Sequence, residues 1–203
     1  MAPITSSTRH YPGKNPEWIQ FIGSDDPHYS GSLILQSSTF VNDNGQLNYI
    51  EPPMILGKVT ATGKLRKLMR TALNGAVEDT PTLVLVDASP FIVGDSIKVA
   101  GGSSTVIESI NYATNTVVVE DNQTADDESA VLGINGAEEP FGFLLGEEHS
   151  TFSGVKLYDE ENLNVVERNV NVRFSRCNIK QSFFPNIDAY TLAFFKAKYV
   201  MFI

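Results

Sequence analysis

The stretch that decides the fold is residues 91–120, FIVGDSIKVAGGSSTVIESINYATNTVVVE. It holds three short runs rich in β-branched residues, which Gly101-Gly102 and residues 111–115 separate as turns. β-branched residues favour strands, and glycine and asparagine favour the tight turns that join antiparallel strands. The rhythm therefore predicts an antiparallel meander or a small barrel.

The same stretch, in which Val93-Gly94-Asp95 opens one strand, resembles small SH3-like or OB-like barrel modules. Leu83–Val86 adds a further short strand, and Asp87–Pro90 adds the turn after it. Such modules recur as insertions in structural proteins of phages. The resemblance implies a small β-barrel inserted over residues 80–134.

The sequence on both sides of this insertion also has a strand pattern, so we predict a mainly β protein with a compact body formed by residues 52–79 and 135–203. In residues 165–174, apolar and polar side chains alternate, as a half-buried strand requires. The runs that carry the body are Met54–Gly63, Phe141–Leu145, Val155–Tyr158, Val165–Phe174 and Tyr199–Ile203.

Two segments have a helical pattern. Leu65, Leu68, Met69 and Leu73 fall on one helical face, which predicts a short helix ended by Asn74-Gly75. Residues 188–198 predict a second helix, with Asn186 or Asp188 as its N-cap.

Residues 1–51 are predicted to form an extended N-terminal arm, because prolines and glycines interrupt them repeatedly. The arm nevertheless carries apolar side chains that are costly to leave in water. It either packs on a neighbouring molecule or wraps its own domain, and both alternatives stay open. The apolar residues of the arm are Trp18, Ile19, Phe21, Ile22, Leu33 and Leu35.

Charge and composition argue against several functional classes. A net charge of −9 disfavours nucleic-acid binding, which needs clustered Lys and Arg. The single cysteine, Cys177, permits neither an intramolecular disulfide nor a thiolate metal cluster. No apolar run is long enough to span a bilayer, and the first residues lack the pattern of a secretion signal.

The motifs of common enzymes fail on spacing. Gly57 and Gly63-Lys64 are too far apart for a phosphate loop, and Leu65 stands where the magnesium-binding hydroxyl belongs. The acidic groups Asp25-Asp26 with His28, and residues 121–128, lack the register of a calcium loop, so solvated loops are favoured over cation sites. We predict no catalytic residue, no metal and no cofactor; a hydrolase whose carboxylates carry no motif is the weaker alternative.

Basic residues cluster between positions 58 and 70, against the overall acidity. They form either a solvated face of the predicted helix or a docking patch for an acidic partner surface. The cluster consists of Lys58, Lys64, Arg66, Lys67 and Arg70.

The order of these pieces resembles the head decoration (capsid cement) proteins of tailed bacteriophages. The resemblance rests on the arm up to Glu51, Gly57–Gly63, Phe141–Leu145, Val165–Phe174 and the inserted barrel. It implies a virion structural protein that is made in the bacterial host cytoplasm. There it would bind the outer surface of the capsid through the major capsid protein and cement adjacent capsomers as a homotrimer. Neither nucleic acid nor a membrane is implied as a partner.

The residues predicted to bind the partner are the arm residues Trp18, Ile19, Phe21, Ile22, Leu33 and Leu35, and the basic residues Lys64, Arg66, Lys67 and Arg70. The arm would add to an edge of the capsid protein's sheet. The alternative function is a tail, baseplate or fibre-adaptor protein that binds another part of the virion or a host glycan.

Overall fold

The structure is a computed structural model. It describes residues 19–21, 28–29, 33–42, 45–46, 49–50, 52–147, 150–151, 155–157, 167–173, 177–184, 187–198 and 200–203. The described strands are β1 (Ile19–Phe21), β2 (His28–Tyr29), β3 (Ile34–Leu35), β4 (Val41–Asn42), β5 (Gly45–Gln46), β6 (Tyr49–Ile50), β7 (Met54–Lys58), β8 (Leu65–Lys67), β9 (Arg70–Ala72), β10 (Val77–Val84), β11 (Ser96–Val99), β12 (Ser104–Asn111), β13 (Thr116–Ala125), β14 (Ala130–Gly133), β15 (Pro140–Glu147), β16 (Ser150–Thr151), β17 (Val155–Lys156), β18 (Arg168–Arg173), β19 (Cys177–Ile179) and β20 (Val200–Phe202). The described helices are α1 (Ala189–Ala197) and the short 3₁₀ turns Ser37–Thr39 and Gln181–Phe183.

Strands β9 to β14 form one six-stranded antiparallel sheet in the order β10-β13-β12-β11-β14-β9. A bridge between Leu73 and Leu85 joins the two ends of this order, so that the sheet is nearly closed. We call it the six-stranded barrel. The prediction of a mainly β protein with a small barrel is confirmed.

The interior of the six-stranded barrel is filled by alternate residues of its strands, including Ile97, Ile107 and Val131. Three further buried residues come from outside residues 70–133, the stretch that holds these strands: Val59 and Met69 before it and Ala137 after it. The barrel core therefore depends on side chains from the neighbouring part of the chain.

A second sheet closes on itself, because β15 pairs with β7, β7 with β8, β8 with β3, β3 with β18, and β18 again with β15. All of these pairs are antiparallel except β3 with β8. We call this arrangement the five-stranded closed sheet. Its buried cluster includes Leu35, Leu56, Leu65, Leu144 and Val172.

Strand β15 is buried on both faces. Leu144 belongs to the core of the five-stranded closed sheet, whereas its neighbours Phe143 and Leu145 belong to a third cluster with Cys177 and Phe195. That cluster lies beneath a small sheet of order β1-β19-β20, whose strands β19 and β20 run parallel with α1 between them in the chain. Burial on two faces explains why residues 143–145 are all apolar.

The predicted helix over residues 65–73 is wrong, because this segment forms β8 and β9. Its apolar residues serve two different cores: Leu65 packs in the five-stranded closed sheet, and Met69 and Leu73 pack in the six-stranded barrel. Because the chain passes from one sheet to the other near Leu68, its apolar residues recur at intervals that match a helical face by coincidence.

The second predicted helix is confirmed as α1. Asp188 is its N-cap and accepts hydrogen bonds from Thr191 N at 2.9 Å and Thr191 Oγ1 at 2.8 Å. The strand expected at the C-terminus is present as β20, and it is held by β19.

The described parts of the predicted arm pair with strands of the same chain. β1 pairs with β19, β2 with β18, β3 with β8 and β18, and β6 with β17. These pieces wrap their own domain. The division into an arm, a body and an insertion over residues 80–134 stays a prediction.

Gly57 marks the closest approach between β7 and the loop before β15. A Cβ atom at Gly57 would lie 2.0 Å from the backbone oxygen of Ala137. We expect Gly57→Ala to lower the free energy of unfolding by about 3 kcal/mol, because backbone on both sides must move. Urea unfolding measures this, with Gly101→Ala as control, since nothing lies within 4 Å of a Cβ there. Equal stability of the two variants would contradict the packing described here.

Candidate partner-binding surface and the ionic joint beneath it

Arg66 points from β8 toward the turn before β11. Its Nη1 and Nη2 donate to Asp95 Oδ1 and Oδ2 at 2.8 and 2.7 Å, and Nη2 also donates to the carbonyl of Pro90 at 2.9 Å. The side chains of Arg66 and Asp95 are only 3% and 9% exposed. This buried, bidentate ion pair fixes the five-stranded closed sheet to the six-stranded barrel.

Asp95 also organises its own turn, because Oδ2 accepts a hydrogen bond from Ile92 N at 2.8 Å. The sequence placed Asp95 in a Val-Gly-Asp turn, but it gave no signal for Arg66 as the partner. Twenty-nine residues separate the two in the chain.

Lys67, the next residue along β8, reaches the same side of the barrel. Its Nζ lies 3.0 Å from Asp87 Oδ2 and also donates to Ser89 Oγ. Burial raises the pKa of Asp87, but the Lys67 charge and the hydrogen bonds from Ser89 and Lys67 outweigh it and hold this pKa below its ordinary value. A second ion pair therefore supports the same junction.

Arg70 in β9 connects the barrel to helix α1. Its Nε lies 3.2 Å from Asp188 Oδ2, and its guanidinium carbon lies 4.1 Å from the centre of the Tyr190 ring. The Tyr190 hydroxyl donates to Glu139 Oε2, and this hydrogen bond raises the pKa of Tyr190. The helix cap Asp188 is thus shared with a strand of the barrel.

The remaining two cations of the cluster also have partners within the chain: Lys64 pairs with Glu167, and Lys58 lies over the ring of Phe141 at 5.5 Å. The solvated helical face is wrong, because the segment forms β8 and β9, whereas the docking patch for an acidic partner surface stays a prediction. We call the contacts of Arg66, Lys67 and Arg70 the ionic joint.

The apolar residues predicted to bind a partner have different positions. Trp18 and Ile22 lie outside the described residues, while Ile19 and Phe21 are in β1, which is at the edge of its sheet as far as the described strands go. Leu33 and Leu35 are buried in the core of the five-stranded closed sheet. Contact of these two leucines with a partner would require opening that core.

The outer face of the six-stranded barrel carries apolar residues that the sequence argument did not single out. Val106 lies opposite Ser96 in the register of β11 and β12, and Ile134 lies on the other side of Ser96, because Ile97 pairs with Gly133. Val93 precedes Gly94, whose N–H donates to the carbonyl of Ile107. Val93, Val106 and Ile134 are 59%, 36% and 47% exposed. We call these three residues the barrel apolar patch.

The alternation within β12 is a signal that could have located part of this patch. Thr105 and Ile107 are buried, and Val106 between them faces outward. The alternation separates the two faces of the strand, but a single sequence does not show which of the two faces is buried.

The charge of the chain is unevenly distributed. Residues 77–133 hold ten Asp or Glu and one Lys, which gives −9, and the whole chain of 24 acidic and 15 basic residues is also −9. The rest of the chain is therefore neutral. Eight of the ten carboxylates are exposed: Glu78, Asp79, Glu108, Glu120, Asp121, Asp126, Asp127 and Glu128.

The acidic residues 121–128 do not form a single loop as predicted, because residues 121–125 belong to β13 and only the residues after it turn. Asp127 Oδ1 accepts from Gly75 N at 2.7 Å and from Glu128 N at 2.9 Å. Within the described residues, no group of three or more His, Cys, Asp or Glu side chains is placed to hold a metal ion. Asp25 and Asp26, the other acidic pair, lie outside that part of the chain.

Removing Asp95 tests the ionic joint. We expect Asp95→Ala to lower the free energy of unfolding by about 3–5 kcal/mol, because Arg66 is left as an uncompensated buried charge. Glu167→Gln, which breaks the exposed pair with Lys64, should cost less than about 1 kcal/mol. Urea unfolding compares the two variants, and similar losses would show that the buried pair is not what fixes the junction.

Asp87 predicts a pH dependence of stability. Because its pKa is lower in the folded than in the unfolded chain, its contribution is complete above the unfolded pKa and is lost as the pH falls through the folded pKa. The stability difference between the wild type and Asp87→Asn should be constant above about pH 5 and shrink below about pH 4. Urea unfolding from pH 3 to 6 measures it, with Glu120→Gln as an exposed control. A difference that grows on acidification would reverse the sign of this interpretation.

None of the described helices combines the length and the apolar composition needed to cross a bilayer. The chain matches no protein-family model, no curated protein and no solved structure. Its function is therefore inferred from the contacts, burial and charges described above.

Proposed function

We propose that this chain is a non-catalytic structural protein that binds other protein surfaces, and that it decorates the outer surface of a tailed-bacteriophage capsid. In this role it binds the major capsid protein, cements adjacent capsomers and acts as a homotrimer. The observation that carries the proposal is the ionic joint. Its residues Arg66, Lys67 and Arg70 fix the acidic barrel to the rest of the chain, which has no net charge.

A fixed junction suits a protein whose task is adhesion. Binding surfaces held in one orientation lose little conformational entropy when they meet a partner. A shell also offers many identical sites, so weak contacts made by several linked copies add up to firm attachment. An internal joint that resists bending would let each copy transmit load between neighbouring capsomers.

The distribution of charge supports a position on the outside of a nucleic-acid container. The exposed carboxylates of the barrel would repel packaged DNA, whereas they keep a surface that faces solvent soluble. We therefore propose no direct contact with nucleic acid.

The residues around β1 remain the proposed attachment of the arm, with Trp18 and Ile22 on either side of it. Among the described strands, β1 lies at the edge of its sheet, with β19 on one side. An edge strand can pair with a strand of another protein, which is the contact that we propose with the capsid protein's sheet.

The alternative, a tail or fibre adaptor that binds a host glycan, has less support from the barrel. Sugar-binding sites commonly use exposed aromatic rings. In residues 77–133, all of which are described, the two aromatic side chains are Phe91, which is buried, and Tyr112, whose hydroxyl donates to the Phe91 carbonyl. The exposed large apolar residues there are valines.

Co-sedimentation with capsid shells tests the proposal. We expect the purified chain to bind shells of the major capsid protein of its own phage saturably, and light scattering to give the mass of a trimer. Unlabelled chain should displace labelled chain, and bovine serum albumin serves as the acidic control that should not pellet. A chain that is folded by circular dichroism yet stays in the supernatant would refute the proposal, and binding on a sugar array would favour the adaptor function.

A further inference from the structure

We propose that the outer face of β11, β12 and β14 is the surface through which the six-stranded barrel binds its partner. We further propose that the partner presents an apolar area bordered by Lys or Arg side chains. This inference rests on the proposed function and deepens it, because it names the binding face of the barrel and the chemistry of the capsid protein's matching surface.

The register of the strands places two residues of the barrel apolar patch, Val106 and Ile134, in one row. Side chains on neighbouring strands at the same register share a face. Ser96 pairs with Val106, and its neighbour Ile97, which is buried, pairs with Gly133. Val106, Ser96 and Ile134 therefore form one row across three strands on the outward face.

The row is rigid as well as exposed. The backbone beneath it is held by the β11–β12 and β11–β14 ladders, and Ile97 and Ile107 anchor these strands in the core. Valine and isoleucine have few rotamers to lose on binding. The loss of conformational entropy on docking is therefore small.

Carboxylates border this row. Val119 of β13 pairs with Ile107, which places Glu120 opposite Val106, and Glu108 lies two residues further along β12. Both side chains are exposed. One cation, Lys98, lies in the adjacent row, between Ser104 and Leu132.

Charge complementarity selects the occupant. A second copy of the chain that used the same face would bring four carboxylates, Glu108 and Glu120 of each copy, into one small interface, and an excess of like charge there is costly. A surface with apolar side chains between Lys or Arg matches both features of the patch. The partner that fits is therefore a basic-rimmed surface of a different protein.

The size of the patch sets the strength of binding. Three side chains cover far less than the roughly 800 Å² per partner of a standard interface. A single barrel should therefore bind weakly, with an affinity that falls as salt screens the carboxylates. A trimer that attaches through three linked barrels would bind with a much higher overall affinity than one barrel.

Two pairs of substitutions with matched controls test the inference on capsid shells at 50 and 300 mM salt. Val106→Thr with Ile134→Thr removes apolar contact and keeps strand-forming residues, and its control is Val84→Thr with Val86→Thr on the opposite side of the barrel. Glu108→Lys with Glu120→Lys reverses the bordering charges. Its control is Glu78→Lys with Asp126→Lys, which changes the net charge equally at the Val77–Ala125 end of the β10–β13 pair.

We expect the apolar pair to weaken binding about tenfold at both salt concentrations, as loss of a central contact does. The charge pair should weaken it at least about tenfold at 50 mM salt and reduce the salt dependence. Each control should stay within about twofold of the wild type. Circular dichroism and thermal unfolding of every variant establish that the barrel is folded.

Three outcomes would overturn the inference. If the wild type binds shells and all variants bind equally, the face is wrong while the proposed function stands. If each test pair weakens binding no more than its control, only overall charge or hydrophobicity matters. If the apolar pair converts a trimer to a monomer in light scattering, the occupant is a second copy. Failure of the wild type to bind shells would instead remove the proposed function itself.

Discussion

A guanidinium group taken out of water needs acceptors arranged in its own plane, and it is costly when they are missing. Arg66 finds its acceptors in a different sheet from its own, at Asp95 and the carbonyl of Pro90. The turn 90–95 must therefore close in one way, with Asp95 also holding Ile92 N. Two sheets that could each satisfy their own backbone are tied to a single relative placement by this requirement.

The same junction also determines which acidic residues of the barrel remain unpaired at its surface. The cations of β8 and β9 neutralise acidic residues of the barrel and of α1, so Asp87, Asp95 and Asp188 do not contribute free charge to the surface. The charged side chains that the barrel exposes are then carboxylates with the exception of Lys98, and its exposed apolar residues include Val93, Val106 and Ile134. The basic cluster of the sequence thus serves contacts within the chain, and the adhesive surface that we propose lies on the outward face of β11, β12 and β14.

Local sequence determined local structure well and long-range structure poorly. The turns and β-branched runs of residues 91–120 predicted the barrel strands, and Asp188 predicted the start of α1, because both depend on near neighbours. The helix expected over 65–73 failed because Leu65 and Met69 belong to different cores. The closed pairing of β15 with β18, and the partners of Arg66 and Arg70, join residues far apart in the chain. A single sequence does not show which residues that are far apart in the chain will be in contact.

The chain enters and leaves the six-stranded barrel at adjacent points. Gly133 N donates to the Met69 carbonyl, and Met69 N in turn donates to the carbonyl of Ala137. A segment whose two ends already touch can be exchanged for another without stretching the remaining chain, provided that the new segment packs on Val59 and Ala137 and supplies acceptors for Arg66. The outer face of the six-stranded barrel, which we propose to bind the partner, could therefore change in sequence while the five-stranded closed sheet stays the same.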